Sequence, residues 1–204
     1  MRIGVLGTGT VGTTLAGKLR ELGHEVEVGS RDGSKGDGSF ADVAAHGELL
    51  LNCTAGTASL AALELAGDEN LSGKVLVDVA NPLDFSGGFP PLLSVCNDDS
   101  LAEQIQRRFP DARVVKALNT IGAPVMVDPD SVPGEHTIFM AGDDAAAKEQ
   151  VLELLESMGW PRSRVLDLGG IAASRGPEMY LPLWLSLYSR NGSPVLNIEV
   201  RHGD

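Results

Sequence analysis

Short apolar runs rich in valine, isoleucine and leucine alternate along this chain with stretches whose apolar residues recur every three or four positions. Residues 3–6, 26–28, 49–52, 74–79 and 114–118 carry the first pattern and predict five strands. Their near-continuous hydrophobicity suits a parallel sheet covered on both faces. Residues 13–22, 40–45, 58–66 and 101–109 lie between them and predict crossover helices. Further on, 136–141 and 164–168 predict two more strands around an amphipathic helix at 144–158. Asp143 or Asp144 can cap that helix, and Leu152, Leu155 and Met158 can supply its buried stripe. Residues 171–188 read as helical with a kink or late start at Pro182, and 196–200 as a short closing strand. Such alternation predicts an α/β, doubly wound architecture with a mainly parallel sheet. Residues 1–204 read as a single domain, with about 160–204 forming a small C-terminal extension of helix and strand.

Two stretches break the pattern, and both follow strand ends. Residues 82–99 hold Phe85, Gly87, Gly88, Phe89, Pro90 and Pro91, and residues 122–134 hold Pro124, Pro129 and Pro133. Loops at strand C-termini lie on the ligand side of an open parallel sheet. Long loops there often act as lids or substrate walls. The aromatics of 82–99 favour that role.

The turn after the first strand carries the strongest chemical signal. Gly7, Gly9 and Gly12 form a Gly-x-Gly-x-x-Gly fingerprint between a predicted strand and a predicted helix, the context that a dinucleotide-binding Rossmann fold requires. The first glycine permits the tight turn, the second lets backbone approach the pyrophosphate, and the third lets helix pack on sheet. Phosphates then meet the free N–H groups of a helix that starts near Thr10 or Val11. At the end of the second strand an NAD site usually places Asp or Glu. Here Gly29, Ser30 and Arg31 stand there, with Lys35 in the next loop. A hydroxyl and two cations suit a 2′-phosphate, so the cofactor reads as NADP.

Composition narrows the setting. The 204 residues suffice for one well-buried domain, and 43% hydrophobic with 22% charged content is ordinary for a globular protein. A net charge of −12 argues against nucleic acid and against an anionic membrane surface as partners, so an anionic ligand must be drawn in by local cations. Two cysteines give neither a disulfide framework nor metal-ligand spacing, and no metal is expected. The chain begins on a strand without signal-peptide or transmembrane character, and a reduced, cytoplasmic protein is the expectation.

The nicotinamide of such a fold lies over the C-terminal edge of the central strands. Cys53, Thr54, Ala55, Ala80, Asn81, Pro82, Asn119 and Thr120 arrive there. Small Ala55 and Ala80 admit a planar ring. Asn81 and Asn119 can bond a carboxamide or a substrate carbonyl, or else a neighbouring loop. No catalytic acid stands out: His24, His46, His136 and His202 fall in a turn, at the opposite edge or in the tail, and Cys53 has no nearby base in sequence. Hydride exchange between two redox rings needs mainly alignment, which such a site can provide. Two other readings remain open: an imine or keto reductase with a hydroxyl donor such as Tyr180, and a non-catalytic NADP sensor. The mostly apolar 171–188 segment also predicts a buried contact, most simply a homodimer.

The motifs Gly7-x-Gly-x-x-Gly12, Gly29-Ser30-Arg31, Asn81-Pro82-Leu83, Val115-Lys-Ala-Leu-Asn-Thr-Ile121, Ala141-Gly-Asp-Asp144 and Ser174-Arg175 resemble, in order and spacing, the deazaflavin-dependent NADP reductases. The resemblance implies hydride exchange between NADPH and coenzyme F420. It implies NADP contacts from Thr8, Thr10, Ser30, Arg31 and Lys35. It also implies a ring pocket lined by the loops 81–83 and 119–121, a C-terminal part completing that pocket, and a homodimer. Related members act on ferric ions or other flavins, so the likeness bears more directly on the NADPH half than on the acceptor.

Overall fold

A computed structural model describes residues 1–201 and 203. Strand β1 (Arg2–Leu6) leads through helix α1 (Thr10–Glu21) to β2 (Glu25–Ser30) and a two-residue β3 (Gly38–Ser39). Helix α2 (Phe40–His46), β4 (Leu49–Asn52), α3 (Ser59–Ala66), the single-turn α4 (Asp68–Leu71) and β5 (Val75–Asp78) follow. A hairpin of β6 (Leu83–Asp84) and β7 (Leu92–Leu93) precedes α5 (Leu101–Arg108) and β8 (Arg113–Ala117). The rest is α6 (Ala123–Val127), β9 (Ile138–Ala141), α7 (Ala145–Ser157), β10 (Val165–Asp167), α8 (Arg175–Met179) and α9 (Leu181–Asn191).

Eight strands form one sheet in the order β10-β9-β8-β5-β4-β1-β2-β3, parallel except where β8 meets β9. The chain winds outward from β1 to β3, then returns to β1's other side with β4 and winds the opposite way. That reversal opens a crevice between the C-terminal ends of β1 and β4, where ligands of doubly wound sheets bind. The register aligns Leu6 with Gly29 and Asn52, Asn52 with Asp78, and Asp78 with Lys116, so polar residues close β4 and β5 and the penultimate residue of β8 is polar beside them.

Two cores sandwich the sheet. Leu15 and Leu19 of α1, Val125 of α6, Val151 and Leu154 of α7 and the fully buried Trp160 pack on one face. Phe40 and Val43 of α2, Leu63 of α3 and Ile105 of α5 pack on the other. Burying a large aliphatic side chain contributes about 1.5–3 kcal/mol, so these layers supply most of the drive for assembly.

Several sequence expectations need correction. Residues 196–200 form no strand: Thr137 N–H donates to the Ile198 carbonyl, while the Asn197 side chain takes over the neighbouring bonds to the Thr137 carbonyl and His136. Residues 122–134 are not all irregular, because Pro124 sits in the first turn of α6, where a missing N–H costs nothing. Residues 171–188 divide into a 3₁₀ turn, α8 and α9, and Pro182 marks a late helix start. Asp144 caps α7 by accepting from Ala147 N–H at 2.8 Å, and Leu155 and Met158 are buried as expected, but Val151 and Leu154 complete the stripe in place of Leu152, which is only half-buried. His202 lies outside the described residues.

Candidate active site

The turn out of β1 is built as its glycines require. Gly7 has φ +124°, a region that side chains with a Cβ rarely adopt, and a Cβ on the buried Gly12 would collide with the Gly7 carbonyl. Among the described residues, nothing lies within 4 Å of the Cβ position at Gly9. That open space faces the first turn of α1, whose leading N–H groups have no intrahelical acceptors. The cradle fits a pyrophosphate.

From this turn a groove runs both ways along the sheet edge. One chamber, about 570 Å³, is bounded by Gly7, Thr8 and Gly9, by the loop carrying Ser30, Arg31, Ser34 and Lys35, and by Ala58, Ala61 and Leu65 around α3. A second chamber of about 440 Å³ shares Cys53, Thr54 and Ala55 with the first and continues past Val11, Ala80 and Asn81 to Phe85. Of the residues singled out in the sequence, Gly7, Thr8, Gly9, Val11, Ser30, Arg31, Lys35, Cys53, Thr54, Ala55, Ala80 and Asn81 lie in this lining. Sequence reasoning overlooked the apolar wall of Ala58, Ala61, Ala62 and Leu65, although their helical spacing is readable.

The loop after β2 is pre-shaped. Ser30 Oγ accepts from Lys35 N–H at 3.1 Å and keeps its own hydrogen to donate. Asp32 accepts from Ser34 N–H and Oγ–H, and these bonds hold its carboxyl below the usual carboxylate range. Arg31 and Lys35 are exposed, and among the described residues neither pairs with a carboxylate. Two unspent cations beside a hydroxyl fit a 2′-phosphate monoester.

Not every expected residue lines the groove. Thr10 is exposed at the start of α1, and Gly12 is buried beneath the turn. Pro82, Asn119 and Thr120, expected beside the transferred hydride, are buried behind the floor and line neither chamber. Asn119 follows Leu118, which holds φ +64°, a conformation costing of order 1–3 kcal/mol outside glycine. The turn sets Asn119 against Asn81: Asn81 Nδ2–H donates to the Asn119 carbonyl at 2.8 Å, and Asn119 Nδ2–H donates to Asn81 Oδ1 at 2.9 Å. The Asn81 amide is therefore spent mainly on the loop, not held free for a ligand. The Asn119 Oδ1 and Thr120 Oγ1 atoms have no partner among the described residues.

Proton chemistry has few participants here. Burial, with Asp78 nearby, pushes the Cys53 thiol far up, so it stays neutral. His136 is structural, bridging the Pro129 carbonyl and Asn197 and standing edge-on to Trp160. His46 faces Glu27 at 3.5 Å on the far edge, and His24 lies beside the N-terminus.

A buried ionic row behind the floor was not foreseen. Lys116 Nζ donates to Asp78 Oδ2 and to Glu178 Oε1, each at 2.8 Å, and to the Ala80 carbonyl at 2.5 Å. Asn52 Nδ2–H reaches Asp78 Oδ1 at 2.9 Å and Ser59 Oγ at 3.1 Å, while Asn52 Oδ1 accepts from Thr54 Oγ–H at 2.7 Å. Glu178 also accepts from Leu101 and Ala102 N–H at the start of α5. Burial raises the Glu178 carboxyl in spite of Lys116; burial would lower the Lys116 ammonium, but the two carboxylates hold it up. Its signal was present as one charged or amide residue at or next to the end of each of three neighbouring strands.

Fold and groove together define a Rossmann-type dinucleotide-binding protein. Comparison with known proteins makes that class specific. Residues 2–82 match the family model described as NADP oxidoreductase coenzyme F420-dependent. The F420-dependent NADP reductase of Methanothermobacter marburgensis is 30% identical, over 94% of both chains. A crystal structure from Arthrobacter sp. FB24, whose proposed identity is an F420-dependent NADP reductase, superposes with a TM-score of 0.93 at 50% identity, covering 99% of this chain and all of that one. Metalloreductase STEAP3 of Rattus norvegicus is also 30% identical over 90% of this chain, which spans only 38% of the rat protein. A reductive aminase from Aspergillus terreus, at 19% identity and a TM-score of 0.65, shares the fold. The chain belongs to the F420-dependent NADP reductase family.

Proposed function

We propose that the protein transfers hydride between NADP(H) and coenzyme F420 or a closely similar flavin-like acceptor. The carrying observation is the pair of adjoining chambers that share Cys53, Thr54 and Ala55, one reaching the Arg31–Lys35 loop past the open Cβ position of Gly9 and the other reaching Ala80 and Asn81. Arg31, Lys35 and Ser30 would hold the 2′-phosphate, Thr8 and the α1 N-terminus the pyrophosphate, and Ala55 and Ala80 the nicotinamide end. The bound dinucleotide supplies or receives the hydride. The residues at that end are small or neutral, with Asp84 at the outer rim, an arrangement suited to holding two rings in register. Phe85 and Phe89 of the β6–β7 hairpin are 56% and 61% exposed, and Phe85 lines the second chamber, so it would offer an acceptor ring an apolar wall.

Two finer statements belong to the same reading. The α8–α9 segment, with Met179, Leu183 and Tyr188 exposed, is the contact of a homodimer. The setting is a reducing cytoplasm, which suits the two free cysteines.

Mixing the protein with NADPH and oxidised F420 tests the central statement. NADPH-dependent bleaching of the deazaflavin's visible band is expected. Tight NADPH binding without any bleaching, alongside turnover of small imines, would overturn it.

A further inference from the structure

Lys116 has no place in binding the cofactor, because it touches neither chamber. It is nonetheless 1% exposed, and its partners Asp78 and Glu178 are 0% and 1% exposed. Moving three charges out of water is costly, and such groups are retained only where geometry is well satisfied. The ammonium spends its three hydrogens on Asp78, Glu178 and the Ala80 carbonyl. Asp78 in turn accepts from Ala80 N–H at 3.3 Å. Both backbone polar groups of Ala80 are thus held by one ion pair, and Ala80 lies on the floor of the second chamber between Val79 and Asn81. The neighbouring loop leaves no slack: a Cβ on Gly56 would overlap the Asn81 carbonyl.

We propose that Lys116 is a positioning residue for hydride transfer: held by Asp78 and Glu178, it fixes the Ala80 backbone and so sets the depth and tilt of the nicotinamide end. Glu178 makes this a three-part joint, since the same carboxylate caps α5 and belongs to α8. The seating of the C-terminal helices and the level of the floor are therefore one adjustment. The inference rests on the NADP reading of the groove and adds a division of labour within it. The adenine end depends on Arg31 and Lys35, and the nicotinamide end depends on Lys116 through Ala80.

Adenosine 2′,5′-bisphosphate fills the Arg31 end without reaching Ala80 and therefore separates the two halves. Lys116→Met, and Lys116→Met/Glu178→Gln to relieve one of the two stranded buried carboxylates, are compared with the unaltered protein by calorimetric titration and by single-turnover oxidation of NADPH and of its 4,4-dideuterated form, with oxidised F420 as the hydride acceptor. The expected result is bisphosphate affinity within about twofold of the unaltered protein. Hydride transfer should slow tenfold or more, with a larger deuterium effect than before. Equal weakening of both ligands, an unchanged transfer rate, or failure of both variants to fold would make the ammonium a mere strut and overturn the proposal. Failure of the unaltered protein to bind the bisphosphate would instead overturn the NADP reading, so the two failures are distinguishable.

Discussion

Gly9 and Gly12 belong to one motif yet answer to different forces. The space beside Gly9 is empty and that beside Gly12 is filled by the Gly7 carbonyl. Gly9→Ala should therefore cost the fold up to ~1 kcal/mol, as a poorer N-cap, while lowering NADPH affinity at least tenfold. Gly12→Ala should instead destabilise the fold by about 1–3 kcal/mol through overpacking. Urea unfolding beside NADPH titration checks both, and a Gly9→Ala protein that keeps its NADPH affinity would contradict the cradle. At the neighbouring loop, Arg31→Ala should remove ~1–3 kcal/mol of NADPH affinity, the range for charge-assisted hydrogen bonds, and leave NADH nearly untouched. Equal loss for both cofactors would rule out the 2′-phosphate contact. Residues of this kind were legible because the motif's spacing states their job. Lys116 and Asp78 were not, because one polar residue at or next to the end of an apolar strand looks like the start of any loop, and only the register brings three of them together.

Helix α5 shows how an element is fixed from outside itself. Ser100 caps it by accepting from Glu103 N–H, Glu178 accepts from Leu101 and Ala102 N–H, and Arg175 pairs with Glu103 at 2.6 Å. Asp99, just before it, accepts from both Arg107 Nη groups and from Gln104. Arg107 and these hydrogen bonds hold the Asp99 carboxyl well below its ordinary 3.8. A carboxylate depressed in the folded state contributes stability that is fully present above its unfolded value and is lost as pH falls through the folded one. Asp99→Asn should therefore be less stable than the unaltered protein at pH 7, and the gap should narrow as pH drops below about 3.8. Glu178 acts in the opposite sense: its raised value erodes stability as pH rises above its ordinary 4.5. Urea midpoints measured across pH decide the matter, and a gap at Asp99 that persists undiminished in acid would show that packing, not charge, is responsible. Among elements, the longer strands and the crossover helices were legible from periodicity alone, but the two-residue β3, β6 and β7 and the single-turn α4 are too short to show a period. The failure of 196–200 to form the expected strand was not legible either, since Asn197 substitutes side-chain for ladder bonds, nor was α6, whose proline resembles a breaker until its place in the first turn is known.

At the scale of the molecule, the −12 charge and the apolar C-terminal helices pull against each other. Net negative charge opposes self-association, so a dimer needs a contact apolar enough to outweigh it. Helix α9 offers a candidate: Leu181 and Leu185 bury against the domain, while Leu183 remains 55% exposed and Tyr188 is also exposed, its ring stacked on Trp184 at 5.5 Å. Doubly wound connectivity was legible from the alternation of strands and helices, but which face of α9 stays uncovered depends on how α8 is anchored through Glu178. If this face is the proposed dimer contact, Leu183→Asp adds one more negative charge per protomer at its centre and removes an apolar anchor. Sedimentation equilibrium should then report a monomer, with the 21.4 kDa chain's mass, where the unaltered protein reports twice that. The helix should survive, because Leu183 packs little against its own domain. Added salt should partly restore association by screening the repulsion between the aspartates. A mass that stays unchanged on this substitution would place the dimer contact elsewhere or exclude it.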